Sequence, residues 1–427
     1  MIRKYLLCSI LLCSLNANAA TNNLATCSQT AVVAAIASAA SGDTIVCPAG
    51  SWSWSNVDIT KNVTLQGAGI GNTLISITSS FGIESVPTNT GAFRITGFTF
   101  IATSTFGDFF DATLRIRNGH GWRLDHNEFQ VFSSAGSGSG ADGSGGNGIL
   151  VENDSAGLID HNRFIKGGGA GCVHAMLQIS NSGTTSTALD AQEYSWLNFD
   201  PLTLLNSTDH TIFAEDNYFY NPTNCSGHNA HTMYLRHGAV LVFRHNEIHG
   251  FNADVHPFDD EHGGFTWEIS NNTWVGDVGN TLFTLMDIAA GTGVIYGNTL
   301  SGGGASNGIQ FLFSRATMNG VGNITSNVPG FGNVNASSLC SNTEGYPCAE
   351  QPGRGRNNSS SPIYVWNNTN FPALRNDAGT FIQSGRDYFL NQGARPGYTA
   401  YTYPHPLQGG VTPPSAPAAP QGLRILP

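Results

Sequence analysis

Asp125-His126-Asn127-Glu128-Phe129, Asp160-His161-Asn162-Arg163-Phe164, Glu215-Asp216-Asn217-Tyr218-Phe219, Arg244-His245-Asn246-Glu247-Ile248, Ser270-Asn271-Asn272-Thr273-Trp274 and Tyr296-Gly297-Asn298-Thr299-Leu300 are six copies of one phrase. Each has an Asn, one intervening residue and then a large apolar residue, and each follows an apolar, β-prone run. From Asn to Asn the gaps are 35, 55, 29, 26 and 26 residues. A period settling in the twenties, with Asn at one phase, means one structural unit stacked on itself. Stacked parallel strands place like residues about 4.8 Å apart, close enough for Asn side chains to bond to their neighbours above and below. Asn also tolerates the left-handed backbone of tight turns. The apolar residue two positions later is expected to point inward and stack. This ladder is scaffold, and His126, His161 and His245, directly before it, read as turn residues.

Upstream, residues 31–40 (AVVAAIASAA) form a short Ala-rich helical stretch with Val32, Val33, Ile36 and Ala40 at helical spacing. It runs through Ser41-Gly42-Asp43-Thr44-Ile45-Val46-Cys47-Pro48-Ala49-Gly50, a turn and a strand. A helix here would cap the open end of the strand stack, as terminal repeats must. The passage resembles the N-terminal cap of secreted right-handed parallel β-helix proteins, the pectate-lyase-like superfamily. Residues 63–67 and 94–100 then read as early rungs. Residues 345–348, 386–389 and 401–407 resemble phrases in a group of exported bacterial β-helix proteins without an assigned activity. The resemblance implies an all-β, single-domain right-handed parallel β-helix with an N-terminal capping helix and an Asn ladder.

Two inserts interrupt the period, residues 133–147 (SSAGSGSGADGSGGN) and residues 180–209. Long loops leaving a rigid scaffold usually wall a groove. Asn367-Asn368, after Ile363-Tyr364-Val365-Trp366, reads as a last rung. At the front, Arg3, Lys4, an apolar run from Tyr5 to Leu15 and Ala17-Asn18-Ala19 read as a secretory signal. The expected organisation is a signal peptide over 1–19, the β-helix over 20–410 and a Pro/Ala-rich tail over 411–427.

Export and the even cysteine count suggest disulfides, with Cys27–Cys47, Cys172–Cys225 and Cys340–Cys348 the first pairings by proximity in chain or rung. Charged residues make up only 11%, which suits a β-rich exported protein. The formal charge of −11 becomes −13 once Arg3 and Lys4 are removed. Without basic runs, nucleic acid is not the expected partner. No apolar stretch is long enough to span a membrane. A monomer acting on a polysaccharide outside the cell, or in the periplasm, is expected.

Twelve of thirteen histidines lie between His120 and His262. Counting back from Asn246, Asn272 and Asn298 by ten gives Arg236, His262 and Ile288; by eleven, Leu235, Glu261 and Asp287. Stacking would make Arg236, Glu261, His262 and Asp287 neighbours, with His231 and His256 close to each other further upstream. A one-residue slip in a strand would turn each side chain to the other face. Two chemistries suit such a groove. In a uronate lyase, a base near ambient pH removes the proton beside a neutralised carboxylate. His231, His256 and His262 are the candidate bases, and Arg236 and Arg244 the candidate neutralising groups. Calcium, held by Asp254, Asp259 and Glu261, is a second means of neutralisation. In a glycoside hydrolase, paired carboxylates do the work, and Asp259, Asp260, Glu261 and Asp287 supply them. The same acids and Trp196 are the candidate substrate contacts. The non-enzymatic alternative is an adhesin-like glycan-binding protein, in which polar residues would be spread evenly along the rungs.

Overall fold

The computed structural model describes residues 19–85, 91–102, 111–117, 119–132, 146–167, 173–180, 200–222, 231–255, 263–276, 282–312, 327–328, 332–333, 351–355, 359–377 and 382–409. Successive strands join three parallel sheets of twelve, ten and nine strands. Each complete coil visits the twelve-stranded, the nine-stranded and the ten-stranded sheet in turn, as in Val240–Arg244, Glu247–His249 and Asn252–Val255. The fold is a parallel β-helix.

Alternation along each strand explains the core. In the ten-stranded sheet Leu114, Ile149, Leu177, Met233, Ala253, Met286 and Ile309 follow one another in register, all buried. In the nine-stranded sheet Phe100, Phe129, Phe164, Phe219, Ile248, Trp274 and Leu300 do the same. The four phenylalanines stack at 5.3, 5.2 and 4.8 Å between ring centroids.

The corner between the twelve- and nine-stranded sheets holds the Asn series. Asn246 Oδ1 accepts from the backbone N–H and Nδ2 of Asn217, at 2.9 and 3.0 Å. Its Nδ2 donates to Ala214 O and to Asn272 Oδ1, both at 3.0 Å. The same bonds run from Asn127 to Asn298 and end on Asn368. The left-handed residue is the one before the Asn, with φ of 54° at His126 and His161 and 57° at His245. Gly297 takes that position with φ of 65°, where a Cβ would lie 2.3 Å from Asn271 Oδ1. The histidines of the phrase are turn residues.

The cap helix runs over Gln29–Ser38, with Ser28 as N-cap. Val32, Ala35 and Ile36 are buried, whereas Val33 is exposed. Lys61 Nζ donates to Ala37 O and Ala39 O at the helix C-terminus, where cations are favoured. The disulfide Cys27–Cys47 pins this end; the other two expected pairs, Cys172–Cys225 and Cys340–Cys348, lie outside the described residues. Asn367-Asn368 is not the last rung, because Tyr388–Leu390 adds one more strand beyond Ile363–Trp366.

Asn246→Ala should remove one link from a buried chain and leave Asn217 N–H and Ala214 O, both on the preceding coil, without these partners. A loss of about 2–4 kcal/mol is expected; chemical denaturation with unchanged m-value would show it.

Candidate functional site

Outward residues of the ten-stranded sheet also stack, and they change character along the helix. One column reads Glu84, Arg115, Leu150, Gln178, Tyr234, Asp254, Asp287, Gln310, Arg375. The next reads Arg117, Glu152, Ser180, Arg236. In the early coils the charges cancel: Arg115 and Arg117 both pair with Glu152, and Arg117 also reaches Glu84 at 3.1 Å. From Gln178 onward the column instead carries groups suited to proton transfer.

Local backbone geometry creates that change. Between His231–Arg236 and Asn252–Val255 the register slips, so that His231 and Thr232 together oppose the single step from Asn252 to Ala253. Such a bulge re-aims a side chain. It places His231 on the same face as Tyr234, Asn252 and Asp254. His231 Nδ1 lies 2.8 Å from Asn252 Oδ1, and Nε2 lies 3.5 Å from Asp254 Oδ2. Asn252 Nδ2 donates to Asp287 Oδ2 at 3.1 Å. The ring of Tyr234 sits 5.7 Å from His231, and the ring of His174 lies 4.5 Å edge-on to Tyr234. His237, at φ of 50°, shares a 2.7 Å hydrogen bond with Ser180 Oγ. Arg236 is fully buried on this face, while His231 and Tyr234 are each 2% exposed.

Of the residues singled out from sequence, the structure therefore brings together His231, Asp254 and Asp287, with Arg236 two residues along the strand from Tyr234. The expected alignment was wrong in detail. Asp287 lies beside Asp254, not in the rung position of Glu261, and Arg236 bridges Gly263. The cause is an unequal count between register pairs: twelve positions separate Asp254 from Thr266, and five separate Asp287 from Thr292. Counting back from the Asn holds across Val240, Thr266 and Thr292, which are in register, and fails in the ten-stranded sheet. His256, His262, Asp259, Asp260, Glu261 and Trp196 lie outside the described residues. Sequence reasoning missed Asn252, Tyr234 and His174; once the bulge is known, strand alternation finds the first two.

Arg244 is elsewhere. It projects from the twelve-stranded sheet, is buried, and donates twice to Glu215 Oε1, at 2.8 and 2.6 Å. The C-terminal segment closes over it through Tyr401 O and Thr402 O. That segment also brings Tyr403 against His245 at 3.7 Å and the His405 N–H onto Glu215 Oε2. Arg244 belongs to a series of ion pairs with Arg94–Asp125 and Arg123–Asp160, which lock successive coils. It is structural, and it is not a neutralising group for the candidate groove.

Among the described residues no group of three or more His, Cys, Asp or Glu converges as a metal site. Calcium takes six to eight oxygens, and Asp254 with Asp287 falls short of that set. No helix among the described residues is long and apolar enough to cross a membrane.

No protein-family model matches the chain, and no curated protein matches it in sequence. Solved structures do resemble it. An alginate lyase from Paenibacillus sp. str. FPU-7 aligns over 87% of this chain and 99% of its own, with a TM-score of 0.50 and 12% identity. The PL6 family polysaccharide lyase Pedsa3628 from Pseudopedobacter saltans aligns over 92% and 90%, with a TM-score of 0.44 and 11% identity. The catalytic domain of a GH87 alpha-1,3-glucanase aligns over 88% and 68%, with a TM-score of 0.33 and 11% identity. At 12% identity the likeness to the alginate lyase bears on the fold alone.

Two predictions follow from these geometries. Arg244→Gln leaves the Glu215 carboxylate buried without its cation, so a loss of about 3–5 kcal/mol is expected, with unchanged turnover per folded molecule. Asp287 is the pH-sensitive acid of the face: burial pushes its carboxyl up to about 7, against about 3.9 in an unfolded chain. Between those values the native state binds the extra proton, so stability falls as pH rises through this window. Asp287→Asn should remove the Asp287 share of that fall, leaving the share of Glu215, whose carboxyl burial also raises to about 7, and be more stable than wild type at pH 8 by about 1–3 kcal/mol, while matching it near pH 4; thermal melts at both pH values decide.

Proposed function

We propose that the chain is a secreted, monomeric enzyme that cleaves a uronate-containing polysaccharide by β-elimination on the outward face of the ten-stranded sheet. The observation that carries this reading is His231, seated by Asn252 with its Nε2 turned toward Asp254 and its ring beside Tyr234, on a face that also carries Arg236 further along the strand. Imidazole works as a base near neutral pH without retuning. Arg236 neutralises the uronate carboxylate and so acidifies the neighbouring C–H. His231 Nε2 takes that proton, the electron pair becomes the new C=C bond, and the C–O bond to the leaving sugar breaks. Tyr234 returns a proton to the departing oxygen. Burial of these groups strengthens each interaction, and it requires a bound sugar to displace the contacts that exclude solvent from the column. The likeness to an alginate lyase supports the scaffold; an activity has to come from the site.

His256 and His262 remain candidate bases, and Asp259, Asp260, Glu261 and Trp196 candidate sugar contacts. Calcium on Asp254, Asp259 and Glu261 is the alternative to Arg236. Hydrolysis is the second reading, favoured by one observation. Asp254 and Asp287 are register partners on adjacent strands, which sets two carboxyl groups side by side on one face, the pairing that a glycosidase needs. The raised pKa of Asp287 would suit it as the acid.

Purified protein should be incubated with uronic and neutral polysaccharides, with and without chelator, while ultraviolet absorbance and reducing ends are followed. Rising absorbance is expected with a uronate polymer, and His231→Gln should lower kcat/KM by about 100-fold or more with unchanged melting temperature. Reducing ends without absorbance would establish hydrolysis; binding without either would leave an adhesin. Loss of activity with chelator would give neutralisation to calcium, and full loss in His256→Ala or His262→Ala with an active His231→Gln would move the base there.

A further inference from the structure

Asn252 stands between two titratable groups, and an amide in that position has a polarity. Its Nδ2 can only donate, and here it points at Asp287 Oδ2, 3.1 Å away. Its Oδ1 can only accept, and it faces His231 Nδ1 at 2.8 Å. An ionised Asp287 offers acceptors alone, so it holds the amide in this orientation. The amide oxygen in turn requires a hydrogen on Nδ1, which leaves the lone pair of a neutral ring on Nε2. We propose that Asn252 is a positioning residue that reports the ionisation of Asp287 to His231, selecting which imidazole nitrogen carries the proton.

The switch has a specific second state. A protonated Asp287 donates its O–H to the amide oxygen. The amide then turns over by 180° about its last side-chain bond, exchanging oxygen and nitrogen without changing its outline. Nδ2 now faces Nδ1, which must present a lone pair, and the ring proton moves to Nε2. One proton is taken up, by Asp287; the ring loses one at Nδ1 and gains one at Nε2 through solvent. In that state Nε2 is no longer a base.

The surroundings favour this pairing. Asp287 Oδ1 is buried and accepts no hydrogen bond from the described residues, so ionisation is poorly supported there and a proton can be accommodated. Asp287 has Asp254 in register on one side and Gln310 on the other, with Arg375 and Asp377 acting on it electrostatically. Gln310 itself is held by Thr284 and Asp377, at 2.8 and 2.7 Å. His231 faces Asn252, Asp254, His174 and Tyr234. Burial moves the titration of Asp287 into the neutral range, where such a switch would act.

The inference rests on the reading of His231 as base for its consequence, and its test is independent of activity. Ring nitrogens of histidine, labelled with ¹⁵N in the full-length protein, report the tautomer directly by NMR. At pH 8.5 wild type should show His231 with its proton on Nδ1. Asp287→Asn removes the directional hold, and Asn252→Leu removes the acceptor; both should move the proton toward Nε2, whereas Asn252→Asp should keep it on Nδ1. An Nε2–H tautomer in wild type at pH 8.5 overturns the proposal without any variant, which covers the case of a variant that does not fold. An unchanged tautomer in Asp287→Asn and Asn252→Leu overturns it as well. If the protein is a lyase, Asp287→Asn should reduce kcat by about 10–100-fold with KM nearly constant, and flatten the acidic limb of its pH profile. The expected tautomers without lyase activity would overturn the elimination reading alone; activity with an insensitive tautomer would overturn the relay alone.

Discussion

A corner that buries backbone polar groups on every turn must satisfy all of them, and in this molecule one amide per coil does so. Asn162 shows the economy of the arrangement: its Nδ2 reaches Leu124 O in the coil before and Asn217 Oδ1 in the coil after, while its own Oδ1 accepts from Asn127. Each side chain therefore spans three coils. An unpaired buried amide costs about 1–3 kcal/mol, so a coil displaced along the stack would lose several bonds at once. The phenylalanine stack two residues later depends on the same offset, as do the Arg–carboxylate pairs on the twelve-stranded sheet. Interior and outer lock are set by one corner.

That rigidity is local, and its limits explain where chemistry can reside. The corner holds the twelve- and nine-stranded sheets in step, while chain can be inserted before or after the ten-stranded sheet without straining the ladder. The 55-residue gap between Asn162 and Asn217 is tolerated because Asn162 and Asn217 still bond directly. The ten-stranded sheet is thus the face on which side chains vary with least cost to the fold. Its outward columns pass from self-neutralised Arg and Glu to His, Tyr, Asn and Asp within a few coils. The C-terminal segment covers the opposite option, since it closes over Arg244 and Glu215 and over the apolar patch of Phe213, Val240 and Val242.

The fold was legible because repetition is a sequence property. The Asn phrase, the inward apolar residue and the turn role of His126, His161 and His245 all follow from position in the period. The site was half legible. His231, Asp254 and Asp287 stand out by type, yet Asp287 was aligned with Glu261 because an Asn-based count cannot see that Asp254 and Asp287 stand in register at different distances from their Asn. The bulge at Thr232 has no mark in composition or periodicity, and without it Asn252 and His231 fall on opposite faces. Arg244 looked available for a different reason. Its partners Tyr401 and Thr402 lie more than 150 residues away in a non-repeating segment, and no local pattern announces such a contact.

The amide between Asp287 and His231 is itself a physical choice with consequences. Asp254 already lies 3.5 Å from Nε2, long for a hydrogen bond yet close enough to favour the charged ring. A second carboxylate placed directly on Nδ1 would add roughly 4 kcal/mol of attraction at an effective dielectric of 20. The ring would then remain imidazolium through neutral pH and could not accept a proton from a substrate. Replacing direct contact by an amide keeps the ring oriented through two hydrogen bonds and moves the charge of Asp287 one side chain further away. Orientation is transmitted and most of the charge is not. That separation suits the role proposed for His231 as a base near neutral pH.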